Sequence, residues 1–318
     1  MKNLTKLLFF LPFIFLCISC KQNKSKNLII FSASFFSPIL DEIKTDTKTS
    51  LNLNLNYEIS GSQVVCRKVT ELGRECDIMI TADHRLFNKI AKSHVNWRID
   101  FANDEIVLGV GKRAKYIDQA EKNWPNILLK NDVEIGRVSE NLGPIGYRTL
   151  IVWKLKEKYG YPYLMNNLKN KSNKIVEHVS QLAAILKAGD VDYGFLYQSA
   201  CIKYDIRYID LDKKINLGSS DIDYSSAEVS FKTFAEGKTK ILKIKGSPIT
   251  YSLTIPINAP NKKDAYTFIK YLLTDKKNIL SFYGLKIFKP KFYGSKKDFE
   301  IFKSFAEYNR LIPETYPK

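Results

Sequence analysis

Apolar runs of strand length recur along the chain, separated by stretches whose apolar residues keep helical spacing. "NLIIF" (27–31) is the first such run, and Ser37-Pro38 after it is a helix start, with serine as N-cap and proline at N1. "LNLNLNY" (51–57) alternates strictly, as a half-buried strand does. In "SGSQVVCRKVTELG" (60–73), Val65, Val69 and Leu72 share one face, which predicts a helix from Ser62 that stops at Gly73. "CDIMITA" (76–82) and "EIVLGV" (105–110) read as further strands. The pattern then restarts with a strand near 134–138, a helix at 146–159, a strand near 174–176 and a helix at 180–188. Strands "YGFLY" (193–197) and "IRYIDL" (206–211) follow, then a less regular segment from Gly218 to Gly246. "ITYSLTIP" (249–256) is a strand, and three helical stretches finish the chain. This alternation indicates βαβ units, hence an α/β protein with mainly parallel sheets in two successive halves.

Several predicted helices begin alike. Ser32, Ser34 and Ser37 lie between the first strand and its helix. Ser60 and Ser62 open the second helix. Gly143, Pro144 and Gly146 open "GPIGYRTLIVWKLKEKYG", and "EHVSQLAAILKAG" starts near Ser180. Each start follows the carboxyl end of a strand, where open α/β sheets bind ligands. Free N–H groups at a positive dipole end, with small side chains that allow close approach, suit an anion.

Charge and the leader narrow the setting. The 318 residues carry 50 Lys+Arg against 33 Asp+Glu, a formal +17, but the basic residues are scattered. No basic block or aromatic RNA-binding motif accompanies them, so nucleic acid is not the expected partner. "MKNLTKLLFFLPFIFLCISC" has Lys2 and Lys6, an apolar stretch from Leu7 to Ile18, then Ser19-Cys20. That stretch is short for a membrane span and fits a signal peptide. It resembles a bacterial lipoprotein signal (1–20) with Cys20 as the lipidated residue and "KQNKSKN" (21–27) as a tether. A protein of the cell envelope, lipid-anchored in the periplasm or on the outer face of the cytoplasmic membrane, is expected. Beyond the leader remain Cys66, Cys76 and Cys201, an odd number, so at least one thiol stays free; a Cys66–Cys76 disulfide is open.

"SGSQVVCRKVTELGRECDIMITAD", "GPIGYRTL", "AAILKAGDVDYGFLYQSA" and "GSPITYSLTIPINAPNKKDAYTFIKYLL" together resemble the periplasmic molybdate/tungstate-binding proteins of ABC transporters, the ModA/WtpA group. The resemblance runs from about Asn27 to Asp275. It implies a two-lobed type II periplasmic-binding-protein fold, lobe I from 28–110 and 247–318, lobe II from 111–246. Crossover strands near 105–111 and 248–256 would join the lobes. It further implies a monomer that captures a tetrahedral oxyanion, molybdate or tungstate, and delivers it to an ABC permease with its ATPase; no cofactor or bound metal is expected. The anion contacts it implies are Ser34 (with Ser32 as the alternative), Ser62, the Gly143 and Val179 amides, and the Tyr197 hydroxyl. The tungstate-binding branch supplies carboxylates where this chain has Leu142-Gly143 and Gln181, so a four-coordinate anion held by hydrogen bonds is expected.

Arg67 and Arg148 lie a turn or more into their helices and are expected to serve the surface or the field, not the ligand. His178 borders the fourth loop and reads as a rim histidine. No Walker loop, GxSxG elbow or zinc spacing is present in the sequence, and isolated His84 and His94 do not form a cluster. Two rivals stand beside the main reading. One is a receptor for sulfate or phosphate; phosphate is protonated near neutrality and wants an acceptor that these loops lack. The other is an envelope enzyme on the same fold with Cys66 or Cys201 as nucleophile, which no neighbouring histidine supports.

Overall fold

The computed structural model describes residues 26–172, 174–235 and 238–309. The leader, Cys20 and most of the tether lie outside the described residues. Lys26 and Asn27, assigned to the tether, already open the first strand.

One lobe is a seven-stranded sheet. Its strands are β1 (Lys26–Ala33), β2 (Leu53–Ser60), β3 (Ile78–Thr81) and β4 (Arg98–Asp104), with β12 (Ile249–Thr254), β13 (Lys286–Tyr293) and β14 (Glu307–Asn309). They lie in the order β14-β13-β4-β12-β3-β1-β2. The second lobe is a five-stranded sheet of β5 (Ile106–Val110), β6 (Ile135–Val138), β7 (Lys174–Val176), β8 (Tyr193–Tyr197) and β9 (Tyr208–Asp210), ordered β7-β6-β8-β5-β9. The expected parallel units are present as β2-β1-β3 and β7-β6-β8. Strands β12 and β5 pair antiparallel with both of their neighbours, so each sheet is mixed where alternation alone predicted a mainly parallel one.

Helices α1 (Ser37–Leu51), α2 (Ser62–Thr70) and α3 (Arg85–Lys89) connect the strands of the first lobe, and α4 (Ile117–Leu128), α5 (Pro144–Glu157), α6 (Leu164–Lys171), α7 (Val179–Ala188) and α8 (Gln198–Tyr204) those of the second. Leu53 and Leu55 of β2 are buried, Asn54 is half-buried and Asn56 exposed, as the alternating sequence requires. In α2, Val65 and Val69 face the core, but Leu72 is 68% exposed: the helix has ended by then, and Gly73 turns the chain with φ +59°. Phe36 caps α1, so Ser37 is its first helical residue and not the N-cap.

Three regions depart from the sequence reading. The strand at 106–110, placed with lobe I, belongs to the second sheet, and the chain crosses between lobes at Glu105. The last strand of the first sheet before that crossover is β4, whose "RIDFAND" hid its strand character behind charges. Arg98 Nε donates to Asp100 Oδ1 at 3.0 Å, and Asp104 accepts from the Ser199 hydroxyl and the Glu105 N–H, so those charges are buried with partners. The segment read as irregular holds a hairpin, β10 (Glu228–Ala235) with β11 (Lys238–Lys245), which packs against both α2 and α5. The three helical stretches expected after β12 are present as α9 (Lys262–Leu273), α10 (Lys277–Phe282) and the short α11 (Lys296–Phe299), but strands β13 and β14 flank the last of them. The aromatics of "FYGLKIFKPKFYG" serve that extension: Phe292 stacks on Trp97 at 5.7 Å and on Phe302 at 5.3 Å.

Candidate functional site

The first turns of α2, α5 and α7 converge on one small cavity between the lobes. Ser34, Ser62, Gly143, Val179 and Tyr197 all line it, with Ser60, Gly61, Glu177, His178 and Tyr251 among their neighbours. Its volume of about 20 Å³ is small and leaves no space for a sugar or a peptide in this conformation. Ser32 is fully buried elsewhere, and its hydroxyl donates to Ala33 O at 3.3 Å, so Ser34 is the serine of the first loop that reaches the cavity.

Close approach of the lobes depends on Gly61, the N-cap of α2. A Cβ there would sit 2.0 Å from the Leu142 carbonyl oxygen, a backbone atom of the opposite lobe that cannot swing away. Gln63 reinforces the contact, its Nε2 donating to Glu140 O at 3.3 Å.

The donors around the cavity are fixed in direction. Ser62 Oγ accepts the Ala82 N–H at 3.1 Å, which leaves the serine proton free for an acceptor in the cavity. Tyr197 Oη accepts from Arg148 Nη1 at 2.8 Å, so its proton is likewise free. Burial pushes the Tyr197 hydroxyl up to about 12, with Arg148 pulling the other way, so the group stays protonated near neutrality. Val179, first residue of α7, and Ser62, first of α2, carry amides that no intrahelical carbonyl can accept. The Gly143 amide makes a long 3.4 Å bond to Ser139 O. None of the three helices has an acidic residue in its first turn, so their dipole ends stay positive toward the cavity.

Behind this wall lies a buried ionic cluster that the sequence reading missed. Asp83 is 1% exposed and receives Arg85 Nη2 at 2.6 Å and Tyr147 Oη at 2.7 Å, while Arg148 Nη2 lies 3.2 Å away. The two guanidinium groups hold the Asp83 carboxyl far below the usual carboxylate range, against the opposing pull of its burial. Two cations share one anion here, leaving an unbalanced positive charge beneath the cavity. Arg148, expected to serve the surface or the field, is 1% exposed and so is not a surface residue; it donates to both Ala82 O and Tyr197 Oη at 2.8 Å.

Other residues were also hidden from sequence. Ser60 Oγ is buried in the cavity wall without a hydrogen-bond partner, and Tyr251 Oη sits beside Ser199 without a bond of ordinary geometry. Glu177 puts a carboxylate at the cavity, contrary to the expectation that these loops carry none, but its side chain is 68% exposed and belongs to the rim. Gln181 does not face the cavity. Its Oε1 accepts the Glu177 and His178 amides at 2.8 and 3.2 Å, bracing the loop before α7.

Among the described residues, the cysteines offer no reactive centre. Cys66, Cys76 and Cys201 are all free and buried, so the open disulfide is not formed. Burial pushes the thiols of Cys66 and Cys201 well up and that of Cys76 up to about 12, the reverse of what a nucleophile needs. Among the described residues, no group of three or more His, Cys, Asp or Glu is placed to hold a metal ion.

Residues 28–286 match the family model of bacterial extracellular solute-binding proteins. An uncharacterized solute-binding protein of Petrotoga mobilis is 34% identical over 282 residues, covering 86% of this chain and 87% of that protein. The molybdate/tungstate-binding protein WtpA of Pyrococcus abyssi is 30% identical over 309 residues, covering 84% of this chain and 88% of that protein. Among solved structures, the Azotobacter vinelandii periplasmic molybdate-binding protein superposes with a TM-score of 0.58 at 17% identity, over 81% of this chain and 98% of that one.

Proposed function

The chain belongs to the bacterial extracellular solute-binding protein family, and from that premise we propose that it captures molybdate or tungstate as a tetrahedral oxyanion between its lobes. Members of this family bind solutes and are not enzymes. Delivery of the anion to an ABC permease and its ATPase, by a chain anchored through Cys20, completes the proposal.

The observation that carries the reading is the one-way polarity of the cavity. Ser62 and Tyr197 each accept one hydrogen bond from the protein and keep their protons free, and three helix starts add amides at positive dipole ends. Such a site offers donors to a fully deprotonated anion and little to a neutral solute. Each hydrogen bond to a charged acceptor contributes about 1.5–3 kcal/mol net, so a handful in a closed cleft offset much of a dianion's desolvation. Hydrogen phosphate brings a proton that wants an acceptor, and the one carboxylate lining the cavity, Glu177, lies at its exposed rim. Sulfate shares the charge of molybdate and differs in size.

Calorimetric titration of the purified protein with molybdate, tungstate, sulfate and phosphate tests the proposal. Tight, saturable binding of molybdate or tungstate is expected, with phosphate far weaker. Preference for phosphate, or no binding of the metal oxyanions, would contradict it.

A further inference from the structure

Arg148 touches the site without lining it. It sits in the first half of α5, fully enclosed, and one of its nitrogens, Nη1, is shared between two acceptors, the Ala82 carbonyl and the Tyr197 hydroxyl oxygen, each at 2.8 Å. Its other terminal nitrogen faces Asp83 at 3.2 Å. A phenol rotates freely about its C–O bond and can turn either its proton or its lone pairs toward a ligand. A guanidinium cannot accept a hydrogen bond. Placed against Tyr197 Oη, Arg148 therefore forbids the rotamer in which the tyrosine proton points at Arg148 and leaves the proton for the cavity side.

We propose that Arg148 is a positioning residue that sets the polarity of the anion site, holding Tyr197 as a donor and so excluding anions that carry a proton. The inference rests on the oxyanion reading above and assigns its selectivity to a residue outside the contact shell. Tyr197 alone does not fix this outcome. With Arg148 removed, the hydroxyl is free to accept the proton of hydrogen phosphate, and the cost of admitting that ion falls. The ionic cluster tolerates the loss, because Asp83 keeps Arg85, with Nε at 2.9 Å from Oδ1 and Nη2 at 2.6 Å from Oδ2, and keeps the Tyr147 hydroxyl.

The test is a double-mutant cycle of Arg148→Met and Tyr197→Phe, with tungstate and inorganic phosphate titrated into all four proteins. The quantity read is the ratio of the phosphate Kd to the tungstate Kd. Arg148→Met is expected to lower that ratio about tenfold, the loss of one hydrogen-bond discrimination, and to leave it unchanged in the Tyr197→Phe background. Equal weakening of both ligands, or the same change of ratio with and without the Tyr197 hydroxyl, would overturn the inference and make Arg148 a brace only. Should Arg148→Met fail to fold, the Raman doublet of Tyr197, taken as wild type minus Tyr197→Phe, reads the same point in the native protein. A phenol that accepts a hydrogen bond before tungstate is added supports the inference, and one that only donates contradicts it. Wild-type protein that binds tungstate but fails these tests removes this inference alone; wild-type protein that binds no tungstate removes the oxyanion reading with it.

Discussion

Tyr147 Oη donates to Asp83 Oδ2 at 2.7 Å, a bond that joins helix α5 of one lobe to the end of strand β3 in the other. The same carboxylate holds Arg85, whose Nη1 donates to Lys245 O of the hairpin at 2.6 Å. One buried anion thus ties three parts of the molecule together. Phe231 of the hairpin stacks on the Tyr147 ring at 5.1 Å, which keeps the hydroxyl aimed at Asp83.

Asp83→Asn leaves two enclosed guanidinium groups without a counter-charge. Removing one partner of a buried pair costs about 3–5 kcal/mol, because the charge left behind stays desolvated. A urea unfolding midpoint lowered by a corresponding amount is expected. An unchanged midpoint would show that the cluster contributes no net stability.

Gly61→Ala places a methyl group 2.0 Å from the Leu142 carbonyl oxygen in the conformation seen here. The backbone conformation at this position, φ −64° and ψ 148°, suits alanine, so the lobe itself should fold normally. The clash falls only on the approach of the lobes, at about 1–3 kcal/mol for overpacking. Weaker tungstate binding with an unaltered melting temperature of the ligand-free protein is expected. Wild-type affinity in the variant would mean that the lobes do not need this contact.

How much of this was legible beforehand differs from part to part. The helix starts expected near Ser62, Gly146 and Ser180 were visible because capping and small residues leave a local signature; the helices begin at Ser62, Pro144 and Val179, within two residues, and their first turns converge on one cavity. Strand β4 was not, because its alternate charges look solvent-facing in sequence, and their pairing, Asp100 with Arg98 and Asp104 with Ser199 across the lobe boundary, appears only in the fold. The hairpin went unread because its second strand, "KTKILKIK", carries lysines on both faces, Lys238 and Lys240 on one and Lys243 and Lys245 on the other, which breaks the alternation of a half-buried strand. The burial of Arg148 went unread for a related reason. Spacing puts it in a helix, but only the fold reveals that Asp83, Tyr147 and Tyr197 surround it.

Asp104 lies at the crossover between the lobes, where it accepts from the Ser199 amide at 3.3 Å, the Ser199 hydroxyl and the Glu105 amide at 2.8 Å. Burial pushes its carboxyl up to about 7, with those hydrogen bonds pulling it back down. The native state therefore holds this proton more tightly than the unfolded chain, whose carboxyl titrates near about 3.9. Its contribution to stability is full below about pH 4, is lost as pH rises through about 7 and is level above that, at about 1.4 kcal/mol per unit of displacement. Asp104→Asn should remove that slope from a series of urea midpoints between those limits. The same slope in the variant would assign it to another group.

The central claim is that a four-coordinate oxyanion is held by neutral donors, with no protein oxygen bonded to the metal. X-ray absorption at the tungsten edge of the tungstate-loaded protein tests it most directly. The spectrum of free tungstate is expected, with four oxygens at one short distance. A six-coordinate spectrum with two longer metal–oxygen distances would contradict it.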